Sequence, residues 1–139
     1  MVDALLIDPL SRTVSTVQIT SDKALIHSEI SRILVCNLQA CGLKFSSGEE
    51  LIIDEDGYTN ESNLGFSFNF DSFFFGKALI VGYNNANGQI MTCSVTENYI
   101  RSRLAFYDYR ETIFFRKLIF ERYTRIKPGS IVTPTYDIN

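Results

Sequence analysis

Between Arg101 and Lys127 eight cations (Arg101, Arg103, Arg110, Arg116, Lys117, Arg122, Arg125 and Lys127) are interleaved with Phe106, Tyr107, Tyr109, Phe114, Phe115, Phe120 and Tyr123. Guanidinium forks grip phosphates and carboxylates at two points, and aromatic faces stack on unpaired bases. The mixture is therefore chemistry for an anionic ligand: a nucleotide, a single-stranded nucleic acid, or an acidic protein surface such as that of a host protein. Arg101, Arg103, Arg116 and Lys117 are the expected contacts, because they lie off the apolar stripe that runs through Ile113, Leu118 and Phe120, and Tyr107 is the expected aromatic member. A second interpretation fits the same composition. An amphipathic helix that docks its Phe and Ile side chains on a sheet and leaves Arg and Lys in water has this pattern too.

Elsewhere the residue types that carry catalysis do not assemble. His27 is the one histidine, and it falls on the polar face of a helical pattern, where a solvated ring competes with a general base. Gly82-Tyr83-Asn84-Asn85-Ala86-Asn87-Gly88 lacks the Lys-Ser/Thr of a phosphate loop. Glu49 and Glu50 sit in a turn and are expected in water. Asp54, Asp56 and Glu61 resemble part of a calcium loop, but the glycine comes too early and strands flank it, so an Asp-Gly hairpin turn is the better reading. The three cysteines have no zinc-like spacing, and all are expected as reduced, packed thiols rather than as a reactive nucleophile at Cys36 or Cys41. No catalytic residue, metal or cofactor is expected, and folding should need no metal.

Charge reinforces the segment as a unit. Residues 1–100 hold five bases and twelve acids, for −7, whereas residues 101–139 hold eight bases and four acids, for +4. The overall −3 disfavours a dedicated duplex-DNA binder, and sixteen acids against thirteen bases are too few for a DNA mimic. Opposite charge on the two parts also suits self-assembly into a homo-oligomer, the alternative function class. Apolar content of 45% over 139 residues allows a real core, with no run of about 18 apolar residues to span a bilayer. Asp3 stands where a secretory signal would carry a base, so a cytoplasmic protein with no membrane partner is expected.

These residues must be positioned by an α+β fold: a single domain over 1–139, mostly antiparallel sheet, with one helix after the first hairpin, a helical C-terminal part and a loose tail at 128–139. Ala4 to Ile7 and Thr13 to Ile19 read as a hairpin around Pro9. Ile26, Ile30, Ile33 and Leu34 mark a helix at about 22–35, capped within Thr20-Ser21-Asp22. Gln39 to Phe45 and Glu50 to Ile53 read as strands joined at Ser46-Ser47-Gly48. Phe66 to Phe70 alternates like an edge strand. Lys77 to Tyr83 is the buried centre of the sheet, paired in a hairpin with Gln89 to Val95. Thr96 caps a helix that continues through Leu104, Phe106 and Tyr107, and 111–124 forms another, ended by Pro128-Gly129.

Ala4-Leu5-Leu6-Ile7-Asp8-Pro9, Leu51-Ile52-Ile53-Asp54-Glu55-Asp56-Gly57 and Phe75-Gly76-Lys77-Ala78-Leu79-Ile80-Val81-Gly82 together resemble an uncharacterised family of small phage- and plasmid-borne proteins. In that family a hairpin, a helix and a D-E-x-G turn precede a G-x-A-L-I-V-G strand. The likeness covers residues 4–83 and implies an accessory protein of a mobile genetic element, acting inside a bacterium, with no catalytic residue to carry over. The basic aromatic segment lies beyond it.

Overall fold

The apolar run Ala4 to Ile7 lies within Val2–Asp8 (β1), which pairs antiparallel with the alternating Thr13–Ile19 (β2), Val2 opposite Ile19 and Asp8 opposite Thr13. The chain is described, in a computed structural model, over residues 1–125 and 135–136. Pro128-Gly129 and, apart from 135–136, the expected loose tail lie outside the described residues. After β2 comes helix α1, Ile26–Leu34, then β3 (Gln39–Phe45), β4 (Glu50–Asp54), β5 (Gly65–Phe68), β6 (Ser72–Phe75), β7 (Ala78–Tyr83) and β8 (Ile90–Met91). Helix α2 (Glu97–Arg103), β9 (Leu104–Phe106), helix α3 (Tyr109–Arg125) and β10 (Thr135–Tyr136) follow.

The fold is α+β, with two sheets. The larger has the order β10-β3-β4-β7-β1-β2, with β8 also pairing β7, and the smaller has the order β6-β5-β9. All pairings are antiparallel except that of β10 with β3. The expected central strand is central: β7 lies between β4 and β1, with Ile80 opposite both Leu51 and Leu5. Because strand side chains alternate, its two faces serve two cores. Leu79 and Val81 join Ala4, Ile19 and Ile52 beneath Ile26, Ile30 and Leu34 of α1. Ala78 and Ile80 join Leu5, Ile7, Leu43 and Leu51 against Phe66, Phe68 and Phe74 of the small sheet and Ile100 of α2.

Several local expectations yield to these contacts. The alternating Phe66 strand is not an edge: β5 is the middle strand of the small sheet, paired with β6 and β9 on its two edges, and its faces are buried between the core shared with the large sheet and helix α3. Residues 104–106 do not prolong α2. Leu104 turns extended and the chain pairs with β5, so burying Phe106 beside Phe66 at 6.4 Å outweighs helical continuation. Asp54 to Gly57 is no hairpin turn. The Asp54 carboxylate accepts from the Asp56 amide, a 3-10 turn follows over Gly57–Thr59, and the chain crosses from the large sheet to the small one. Strand β8 ends early because the chain swings to β1, where the Cys93 amide donates to the Asp3 carbonyl at 2.9 Å. Helix α1 begins at Ile26 rather than 22, although Asp22 still organises its entrance by accepting from the amides of Ala24, Leu25 and Ile26.

Candidate functional site: the α2–α3 surface and the β5–β6 tip

Helix α2 starts where expected, the Thr96 hydroxyl accepting from the Tyr99 amide at 3.1 Å. Helix α3 starts earlier than expected, on a reciprocal cap. Asp108 accepts from the Glu111 amide at 2.8 Å, and Glu111 accepts from the Asp108 amide at 3.1 Å. The Asp-x-x-Glu spacing was a sequence signal for this boundary. Helix α3 then lies on the outer face of the small sheet. Phe115 stacks on Phe73 at 4.7 Å and lies 4.5 Å from Tyr107, whose hydroxyl shares a hydrogen bond with Ser67 at 2.8 Å.

Packing divides the described cations of the segment into those tied to the protein and those whose donors are unused. Arg101 remains half exposed but is tied down: Nη2 donates to the Val14 carbonyl of strand β2 at 2.9 Å and meets Glu97 at 3.4 Å, while Nη1 donates to Asn98. The Thr16 hydroxyl, first, and Arg101 then hold the Glu97 carboxyl below its usual range. The guanidinium covers an outward carbonyl of an edge strand that would otherwise be open to pairing. Arg116, partly buried, is tied down too. Its Nη2 donates to the carbonyls of Asn60 and Asn63, both at 3.1 Å, and its guanidinium lies 5.2 Å from the centre of the Phe75 ring. Tyr107 serves in the aromatic cluster. Of the five expected site residues, Arg103 and Lys117 are the exposed ones whose side chains make no hydrogen bond or ion pair among the described residues. Arg103 lies over the Tyr99 ring at 5.1 Å.

Around these cations the outward surface carries aromatic and aliphatic groups. On α3, Phe114 is 60% exposed and Leu118 43% exposed, one turn apart and flanked by Arg110 and Lys117. Beside α2, the Arg103 carbonyl accepts from the amide of Asn69 at 2.9 Å, which fixes the β5–β6 turn against the end of that helix. At the tip of that turn Asn69 and Phe70 both have positive φ, 53° and 63°, and the Asp71 amide reaches back to the Phe68 carbonyl. Turns of this hand favour Asn-Gly, since glycine alone takes the second position without a Cβ penalty. Phe70 occupies it instead, 74% exposed. Sequence reading placed Phe70 in a strand with Phe66 and Phe68, and its φ is what only the folded turn reveals.

Sequence reading also missed Glu49. It is not in water: the residue is 2% exposed, and its carboxylate accepts from the hydroxyl of Ser47 and from both the hydroxyl and the amide of Ser94, the latter at 2.9 Å. Burial opposes ionisation, but these donors outweigh it and the carboxyl titrates below its usual range. The result ties the β3–β4 turn to the segment before α2. Near it an open recess of about 460 Å³ is lined by His27, Lys44, Glu50, Tyr83 and Asn84 among others. There the His27 ring meets Gln39 at 3.3 Å.

None of the three cysteines, all within the described residues, is in a disulfide. Burial pushes Cys41 and Cys93 up to about 11, and burial followed by the Asp54 carboxylate raises Cys36, so at neutral pH all three stay protonated. Among the described residues no group of three His, Cys, Asp or Glu side chains gathers as a metal site, and no helix is long and apolar enough to cross a membrane. Comparison of the chain with protein-family models, with curated proteins and with solved structures gives no match.

Proposed function

We propose that this chain is a non-enzymatic binding protein, an accessory protein of the mobile-element kind that its resemblance implies, and that it meets an anionic partner on the outward surface of α2 and α3. The observation that carries this reading is the sorting of the cations. Arg101 and Arg116 spend donors on the backbone of the protein itself, whereas the exposed Arg103, Arg110 and Lys117 have no side-chain hydrogen bond among the described residues, Arg110 and Lys117 one helical turn from the exposed Phe114 and Arg103 over the partly buried Tyr99 ring. An exposed guanidinium keeps its donors for a phosphate or carboxylate, and its neighbouring rings supply contact area. The contact set is thus narrower than the sequence suggested, with Arg103 and Lys117 retained and Arg110 added.

A thermal-shift screen with inorganic polyphosphate, nucleotides and short single strands tests it. A ligand present at about 100 times its dissociation constant stabilises by roughly 2.7 kcal/mol. Arg103→Glu with Lys117→Glu should abolish that shift and leave the unliganded melt unchanged. Arg101→Ala should instead lower the unliganded melt and leave the shift in place. If no anion moves the melt, the reading fails.

One observation favours a second reading, self-association: Phe114 and Leu118 form an exposed apolar pair on α3. Solution mass at low and high salt separates the two, since a dimer that persists in high salt and is lost in Phe114→Ser would assign this face to another copy of the chain.

A further inference from the structure

We infer that the anionic partner is a single-stranded nucleic acid and that Phe70 is the ring on which one of its unpaired bases stacks. This rests on the anion-binding reading above and specifies its ligand. Three observations converge at the β5–β6 tip. Phe70 is 74% exposed, so burial does not account for an aromatic residue there. Its φ of 63° disfavours any side chain with a Cβ, so the backbone does not account for it either. The preceding residue, Asn69, donates its amide to the carbonyl of Arg103, which anchors the turn that carries Phe70 to the backbone at the end of α2, where the exposed Arg103 side chain lies over Tyr99.

An exposed cation and a presented ring held on adjoining backbone segments suit a single strand, the cation meeting the phosphate and the ring meeting the base. A duplex offers phosphates but keeps its base faces stacked inside, so a ring at a turn tip reaches them only at the cost of unstacking a base step. An acidic protein surface would satisfy Arg103 and Lys117 without using an aromatic face. The face of Phe70 is therefore the element that selects a strand with unpaired bases over other polyanions.

The test uses the whole chain and three probes of matched length: a fluorescent oligothymidylate, an abasic strand, and inorganic polyphosphate. Phe70→Gly is expected to melt a few degrees higher than the parent, because glycine relieves the turn, and to bind oligothymidylate about tenfold more weakly, the scale of one lost base stack. Phe70→Tyr should retain the affinity, and polyphosphate binding should be the same in all three proteins. Equal binding of abasic and thymidine strands by the parent, or full affinity in Phe70→Gly, overturns the inference while leaving anion binding intact. A partner captured only as an acidic protein overturns it likewise. If none of the three probes binds, the anion reading falls and this inference with it.

Discussion

The amide of Gly65 donates to the buried hydroxyl of Thr112 across 2.9 Å, joining strand β5 to helix α3 from positions 47 residues apart. Thr112→Val keeps the shape of the side chain and removes the acceptor, leaving a buried amide unpaired. The expected loss is about 1–3 kcal/mol by denaturant titration, with Thr112→Ser recovering most of it. An unchanged midpoint in Thr112→Val would mean that α3 is not seated on this bond.

Leu79 is fully buried at the middle of β7, packed beneath α1. Leu79→Ala removes buried methyl groups where strands on both sides prevent collapse, and should cost about 2–5 kcal/mol. A loss under about 1 kcal/mol would be incompatible with a central strand that has α1 on one face.

Glu49 makes stability depend on pH. Its folded-state pKa is depressed below the ordinary value of about 4.3, so the unfolded chain binds the proton more readily and stability rises with pH across that interval. The contribution is complete above the ordinary value and is lost as pH falls through the depressed one. Glu49→Gln should lose about 1–3 kcal/mol at pH 7 and show a shallower fall in stability below about pH 4.5 than the parent. Parallel pH profiles for the two proteins would count against an ionised Glu49.

Val35 caps α1 in the left-handed region, with φ 54°, while the amide of Cys36 closes the turn on the Ser31 carbonyl at 3.0 Å. A β-branched residue is disfavoured there, and this one is 80% exposed, so its side chain gives little in return. Val35→Gly should stabilise by about 1 kcal/mol and raise the melting temperature by about 2–5 °C. A lower melting temperature would show that Val35 makes a contact that outweighs its backbone strain.

What the sequence determined by itself is what short-range physics controls. The apolar run Ala4 to Ile7 stopped at Asp8-Pro9 and the alternation of Thr13 to Ile19 specified a hairpin, the spacing of Ile26, Ile30 and Leu34 specified a helix face, Thr96 marked a cap, and the dense apolar run at Ala78–Tyr83 marked the centre of the sheet. Each signal acts over a few residues, where backbone period and caps dominate. The surface was legible only as a composition. Which cations face water was decided by partners far along the chain: Arg101 meets Val14 across 87 positions, Arg116 meets Asn63 across 53, and Glu49 meets Ser94 across 45. Burial of a polar group is favourable only when its hydrogen bonds are met, and those partners exist only once both sheets and α3 have packed. The same packing turned Leu104–Phe106 into a strand, because the open side of β5 offered Phe106 more burial than another helical turn would. It also put Phe70 at a left-handed turn tip that Asn69 ties to the Arg103 carbonyl, a position that no periodicity in the sequence encodes.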